Sequence, residues 1–143
     1  TLFTMEDTLI SAKKDEETVQ EVLPDNIRPW GRYDVIDGDD GFQVKRITIN
    51  PGQRVSYQRH QQREEFWLIV KGDATVTLND VDTDHGKGEV IHVKLQDKHR
   101  IGNSGENDLV FIEVQLGDYF GEDDIERFED AYGREGTTTP HGN

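Results

Sequence analysis

Cysteine is absent from the chain, which excludes a disulfide framework and thiol chemistry and fits a cytoplasmic protein. Long apolar runs are also missing. No stretch approaches the roughly 20 residues that a membrane-spanning helix needs. The first residues lack the basic, apolar and small-residue order of a signal peptide. Apolar residues make up only 32% of the 143, a fraction that would imply partial disorder if it were evenly spread. Bases are scarce: 16 Lys and Arg stand against 30 Asp and Glu, a formal net charge of −14. Such a surplus argues against nucleic acid and anionic membranes as partners.

The acidity is unevenly placed. Glu6 to Asp25 holds seven acids and two bases, and Asp118 to Glu135 holds eight acids and two bases. The stretch between them, Asn26 to Gly117, has 15 acids and 12 bases, a net of −3. A basic pocket in the central part is therefore compatible with the composition. A chain of this length suits one domain with its own core. The division expected is a polar N-terminal extension over 1–25, one domain over 26–134 and a flexible tail over 135–143. Ser11 to Val22 could form a short helix in the extension, which Pro24 would stop.

From about Tyr33 onward, short runs rich in Val, Ile, Thr, Phe and Tyr alternate with Gly, Asp and Asn turns, a pattern of β-strands. The expected strands are 33–36, 42–49, 54–58, 65–71, 74–78, 90–94, 99–102 and 109–116. Many short strands with no long helix between them read as an all-β sandwich or barrel. After Gly121, acids crowd one end of a segment in which Ile125, Phe128 and Tyr132 recur at helical spacing. This predicts a short C-terminal helix on the domain.

One stretch concentrates chemistry. In an extended strand, side chains two apart share a face, so Gln58 and His60 point the same way. A turn then returns Glu65 beside them, and His99 on another strand could complete a set of four. Imidazole nitrogen, carboxylate oxygen and amide oxygen together suit a borderline divalent ion such as zinc better than calcium. The spacing matches the double motif of the cupins. Gly52 is followed by five residues, Gln58-Arg59-His60, four residues, Glu65, six residues and Gly72. Gly88 is followed by five residues, Lys94-Leu95-Gln96, two residues, His99, three residues and Asn103. Gln58 stands where the first motif usually has His, and Lys94 and Gln96 replace a turn-making Pro and Gly.

Gln in that place resembles the phosphomannose isomerases. The chain is similar to the type II enzymes, whose isomerase cupin is often fused to a mannose-1-phosphate guanylyltransferase. The likeness runs through Arg28-Pro29-Trp30-Gly31, Val44-Lys45-Arg46-Ile47-Thr48, Pro51-Gly52-Gln53-Arg54, Arg63 with Glu65 and Trp67, His99-Arg100, Ile112-Glu113-Val114-Gln115 and Gly121 to Arg134. Where that family usually reads HHHRAEHW, this chain reads His60-Gln61-Gln62-Arg63-Glu64-Glu65-Phe66-Trp67. The metal set and Arg63 are kept, and Gln61, Gln62 and Phe66 depart. No Gly-rich phosphate loop precedes a helix here, so these residues are not expected to make sugar nucleotides.

The resemblance implies a single jelly-roll β-barrel of the cupin type and one bound metal, most simply zinc, on Gln58, His60, Glu65 and His99. It implies interconversion of mannose 6-phosphate and fructose 6-phosphate, and a homodimer, to which an N-terminal arm over 1–25 could contribute. A cupin that binds metal and sugar without turnover is the alternative. Lys45 and Arg63 are the candidate catalytic residues, and Arg63, Arg100 and Glu113 the candidates for binding substrate. Lys45 shares strand parity with Ile47 and Ile49, so it points inward; a slip of one residue would put Arg46 there instead. Arg63 can reach the pocket mouth or stay solvated on its turn. Arg100 alternates with His99 and is either structural or at a phosphate rim. If Ile112, Val114 and Leu116 face the core, Glu113 and Gln115 point outward; Glu113 is kept as a possible base beside Lys45 or a metal-bound water. His92 is expected to face solvent, His85 and His141 to lie in a turn and in the tail, and Trp30 and Trp67 to pack in the core or at a rim.

Overall fold

The computed structural model of the protein describes residues 26–129. The expected N-terminal arm, the helix over Ser11 to Val22, the tail and His141 lie outside the described residues. The strands are β1 (Ile27–Arg28), β2 (Gly31–Asp39), β3 (Phe42–Ile49), β4 (Tyr57–Arg59), β5 (Arg63–Lys71), β6 (Ala74–Leu78), β7 (Val81–His85), β8 (Val90–Val93), β9 (His99–Asn103), β10 (Leu109–Gly117) and β11 (Glu126–Glu129). They form a six-stranded sheet in the order β1-β2-β3-β10-β5-β8 and a five-stranded sheet in the order β11-β4-β9-β6-β7. Every pairing is antiparallel. The expectation of an all-β domain holds, as two separate hydrogen-bonded sheets where a single barrel was expected.

Alternation along the three central strands of the larger sheet builds the interior. Ile47 on β3 lies opposite Phe111 on β10, which lies opposite Ile69 on β5. All three are buried and join Trp30, Ile49, Val76, Ile101 and Leu109 in one cluster. Removing such a side chain from water contributes about 1.5–3 kcal/mol. Two residues further along, the same inner face turns polar. Lys45 lies opposite Glu113, and Gln115 lies opposite Glu65. The sheet thus carries an apolar end that drives folding and a charged end enclosed by it.

Two expectations are corrected. The C-terminal helix does not form among the described residues: 126–129 are a strand, with Glu126 paired to Arg59 and Arg127 to Gln58, and Tyr132 lies outside them. Ile125 and Phe128, three apart, share a face only in a helix; along this segment Ile125 is buried together with Arg127, and Phe128 falls on the other face. The strand wins because β11 covers the edge of β4, which would otherwise expose unpaired backbone groups. Phe128 packs on the Tyr57 ring at 6.1 Å between centroids. The strand expected over 54–58 is shorter and later, leaving only a bridge from Arg54 to Gly102. Conversely, β7 was not anticipated, because Val81–His85 is an exposed edge strand with a single apolar residue.

Two turns depend on backbone that side chains disfavour. Gly72 has φ +92°, and a Cβ there would stand 2.7 Å from the Asp108 carbonyl oxygen. Gln96, in the place of the motif's usual Gly, has φ +66°. Its turn closes through the Asp97 N–H to the Lys94 carbonyl (3.0 Å) and the Lys94 N–H to the Asp97 carboxylate (2.9 Å). Left-handed backbone costs a non-glycine residue roughly 1–2 kcal/mol. Gln96→Gly is therefore expected to raise the midpoint of thermal unfolding by several degrees, read by circular dichroism; an unchanged or lower midpoint contradicts this account of the turn.

Candidate functional site

The polar end of the interior draws groups from both sheets. Gln58 on β4 and His99 on β9 are direct neighbours in the smaller sheet, and Glu65 on β5 faces them from the larger one. With Trp67, Glu113 and apolar side chains they line a chamber of about 10 Å³ for a water-sized sphere, room for about one water or ion. His60, Glu65 and His99 each present one donor atom, all within 4.8 Å of one another. Their exposures are 3% each, and that of Gln58 is 1%.

Backbone hydrogen bonds fix the ring tautomers. His60 Nδ1 meets the Asp124 carbonyl oxygen, and His99 Nδ1 meets the Asp97 carbonyl oxygen at 2.9 Å. A carbonyl only accepts, so both Nδ1 atoms carry the proton and both Nε2 atoms keep a lone pair. Burial, reinforced by the charge of Arg63, holds His60 well below the usual imidazole range, against the pull of Glu65. Burial also lowers His99. Glu65 behaves oppositely. Burial alone would raise it, but His60, Arg63 and His99 outweigh burial and lower it to about 2. Its oxygens accept from Trp67 Nε1 at 3.0 Å and Arg63 Nε at 3.2 Å. Gln58 is braced by its amide nitrogen on Ser56 Oγ, 2.8 Å. Two neutral imidazoles, an ionised carboxylate and an amide are a donor set that fits a divalent ion of the zinc type.

Around these donors lie the candidate substrate residues. Lys45 points inward, 4% exposed, with Nζ 2.9 Å from Glu122 Oε2. Arg46 is outside, against Asp34 at 3.5 Å. Arg63 is enclosed. Its Nη2 meets His60 Nε2 at 3.2 Å, and Nη1 donates to the carbonyls of Phe120 (3.5 Å) and Gly121 (3.4 Å). Burial opposes its charged form, but Glu65, Glu122 and Glu113 outweigh that and raise its pKa.

Glu113 and Gln115, expected to point outward, are buried inside. Strand β10 is apolar on both faces, and Leu109 and Phe111 set the inward parity, so Ile112, Val114 and Leu116 fall on the outer face. Glu113 accepts from Gln115 Nε2. Burial and the charge of Glu65 raise it to about 7, against Lys45 and Arg63. Arg100 is not brought to the chamber. It is buried on the other face of β9, donating through Nε to the Val55 carbonyl and through Nη2 to the Glu129 carbonyl, 3.0 Å each. Trp30 and Trp67 are both core residues. His92 is on the outer face, stacked on Phe66 at 4.2 Å, and His85 ends β7, 2.7 Å from Glu89.

Sequence reasoning missed Glu122 and Asp124. The Asp124 carboxylate accepts the backbone N–H groups of Gln61 (3.1 Å) and Gln62 (3.0 Å), and its carbonyl orients His60. Both acids lay in the segment read as the acidic start of a helix.

Two facing antiparallel sheets with histidine and carboxylate donors between them are the architecture of a cupin. The cupin domain of Schizosaccharomyces pombe Cnp3 superposes with a TM-score of 0.59 over 61% of this chain and 64% of that one, at 16% identity. More specifically, the chain belongs to the mannose-6-phosphate isomerase C-terminal family, whose model matches residues 13–130. It is 48% identical over 107 residues to the alginate biosynthesis protein AlgA of Pseudomonas aeruginosa, covering 75% of this chain and 22% of that one. It is also 48% identical over 107 residues to the mannose-1-phosphate guanylyltransferase ManC of Salmonella typhimurium, with the same shares. The chain thus matches less than a quarter of the length of these relatives.

The raised Glu113 carries a stability consequence. In the fold it holds its proton more tightly than in the unfolded chain, so the stability that Glu113 contributes is present below about 4.5, falls as pH rises, and is lost above about 7. Glu113→Gln cannot ionise. In chelator-treated protein it is expected to match the parent in thermal midpoint near pH 4.5 and to exceed it at pH 8. A gap that is absent at pH 8, or that widens toward acid, contradicts the assignment.

Proposed function

We propose that this domain is a metal-dependent mannose-6-phosphate isomerase, interconverting mannose 6-phosphate and fructose 6-phosphate to supply carbohydrate and polysaccharide precursors. The observation that carries the reading is the meeting of two neutral imidazoles and an ionised carboxylate within 4.8 Å, beside a buried carboxyl whose pKa is near 7. Gln58, His60, Glu65 and His99 would hold the metal, and zinc suits them. When bound, such an ion supplies positive charge against the negative charge that develops on the substrate oxygens in aldose–ketose exchange.

The chain's own residues would do the rest. Glu113, as carboxylate, takes the proton from the carbon beside the carbonyl of the open-chain sugar and returns it to the neighbouring carbon. A pKa near 7 favours both halves of that transfer at neutral pH. Lys45 and Arg63 supply the cations that hold the phosphate. Arg100 supports β9 and β11 in this reading and does not touch substrate.

The changes at Gln61, Gln62 and Phe66 favour a non-catalytic metal- and sugar-binding module. Their placement weighs against it: Gln61 and Gln62 are on the exposed turn, and Phe66 is on the outer face.

A coupled assay of mannose 6-phosphate conversion tests the proposal. Chelation is expected to abolish turnover, and zinc or cobalt to restore it. His60→Ala is expected to lower kcat/KM by more than about 100-fold. Glu113→Gln is expected to lower kcat by roughly 10²-fold or more with little change in KM. Metal and sugar-phosphate binding with turnover no faster than in a Gln58→Ala, His60→Ala double variant would instead identify the non-catalytic module.

We also infer a homodimer through the outer face of the larger sheet. Leu68 (40% exposed), Val70 (38%), Val90 (61%) and Leu116 (37%) lie open there. On this face Asp34 is paired with Arg32 and Arg46, and Glu64 with His92, so two copies can meet there without setting bare acid against acid. We also propose a cytoplasmic location, which suits a phosphorylated substrate. Light scattering on the eluting protein is expected to give twice the chain mass, and Leu68→Glu half of that with circular dichroism retained; a monomeric parent protein removes the dimer.

A further inference from the structure

The segment between β10 and β11, residues 118–125, lies across the polar end of the interior and is tied there by four of its residues. Lys45 Nζ contacts the Glu122 carboxylate at 2.9 Å. Arg63 Nη1 donates to the carbonyls of Phe120 and Gly121. Asp124 grips the turn at Gln61 and Gln62. The chamber lined by Gln58, Glu65, His99 and Glu113 measures about 10 Å³, whereas pockets for small molecules span roughly 300–1,000 Å³. A hexose phosphate does not fit the chamber in this conformation, and the segment 118–125 is the strap tied to the charged residues next to it.

The two partners of the Lys45–Glu122 contact are not equivalent. The Lys45 side chain is 6% exposed and that of Glu122 is 21%. Lys45 approaches the Tyr33 ring, 4.5 Å from its centroid, and its place on β3 is fixed by pairing on both sides. Leaving a buried ammonium without an anion is costly. Glu122 sits on a connecting segment at the surface, where its carboxylate can return to water. It is therefore the partner able to leave, on condition that another anion takes its place.

We propose that Glu122 is an internal stand-in for the phosphate of the substrate, holding Lys45 until a phosphorylated ligand displaces it and lifts the strap. The ligand's identity rests on the isomerase reading above. The exchange has a consequence for selectivity. A sugar phosphate brings a replacement anion for Lys45. A neutral sugar brings none and would have to open the strap leaving Lys45 only the buried Glu113 opposite it on β10. Glu122 thus makes phosphate a condition of access as well as a source of affinity.

Titration calorimetry on the zinc-loaded protein, with mannose 6-phosphate and with mannose, tests this. Glu122→Gln removes the ion pair that either ligand has to break, and is expected to tighten mannose 6-phosphate binding about tenfold and to strengthen mannose binding as well. Lys45→Met is expected to weaken mannose 6-phosphate binding at least tenfold and to erase the gain from Glu122→Gln in the double variant. Hydrogen exchange on the unmodified protein needs no variant: residues 118–125 are expected to exchange faster with mannose 6-phosphate than with mannose. If mannose 6-phosphate binds but Glu122→Gln leaves it unchanged or weaker, or if exchange in 118–125 is equal or slower, Glu122 is not a stand-in and the isomerase reading is untouched. If no form of the protein, the unmodified one included, binds mannose 6-phosphate, the isomerase reading fails and this inference fails with it.

Discussion

Glu65 holds a negative charge where almost no water reaches it, and the surroundings are built around that fact. A carboxylate in such a place is tolerated only when donors and opposite charge replace its hydration. Here Trp67 and Arg63 provide the donors, at 3.0 and 3.2 Å. In turn, the charge on Glu65 compensates the buried guanidinium of Arg63 and pushes Glu113 toward its neutral form. Exchanging Glu65 for a neutral residue would disturb Arg63 and Glu113 together, quite apart from any ion. The apolar half of the same sheets keeps this cluster dry, so the core is both the source of stability and the condition for the chemistry.

Much of this was legible in the chain. The two-residue step from Gln58 to His60, the return at Glu65 and the separate His99 follow from strand parity and motif spacing, and the coordinates bring His60, Glu65 and His99 within reach of one another. Lys45 could be placed inside because its parity neighbours Ile47 and Ile49 were apolar while the alternate positions were mixed. The same logic misdirected β10, where both faces carry apolar residues and the two possible registers look alike. Only the pairing of Phe111 between Ile47 and Ile69 resolves it.

The segment after Gly117 was least legible, because its residues answer to distant partners. Acids near Gly121 suit a helix start in isolation. In the fold, one of them contacts Lys45, and another the turn that follows His60. Gln96 illustrates a different limit. A residue with a side chain occupies backbone suited to glycine, held by Asp97 and by its own N–H to the His60 carbonyl at 2.8 Å. Local preference gave way to a turn that joins the two halves of the motif.

Asp124 has an implication for the order in which the chain takes shape. His60 and Glu65 lie in the first half of the sequence, yet the carbonyl that sets the His60 ring and the carboxylate that closes its turn arrive some sixty positions later. During synthesis the sheets can begin to condense on their apolar side chains long before that residue leaves the ribosome. The donor cluster is then the last feature to become ordered, and a nascent chain halted after β10 would own every ligand while lacking the clamp that aims one of them.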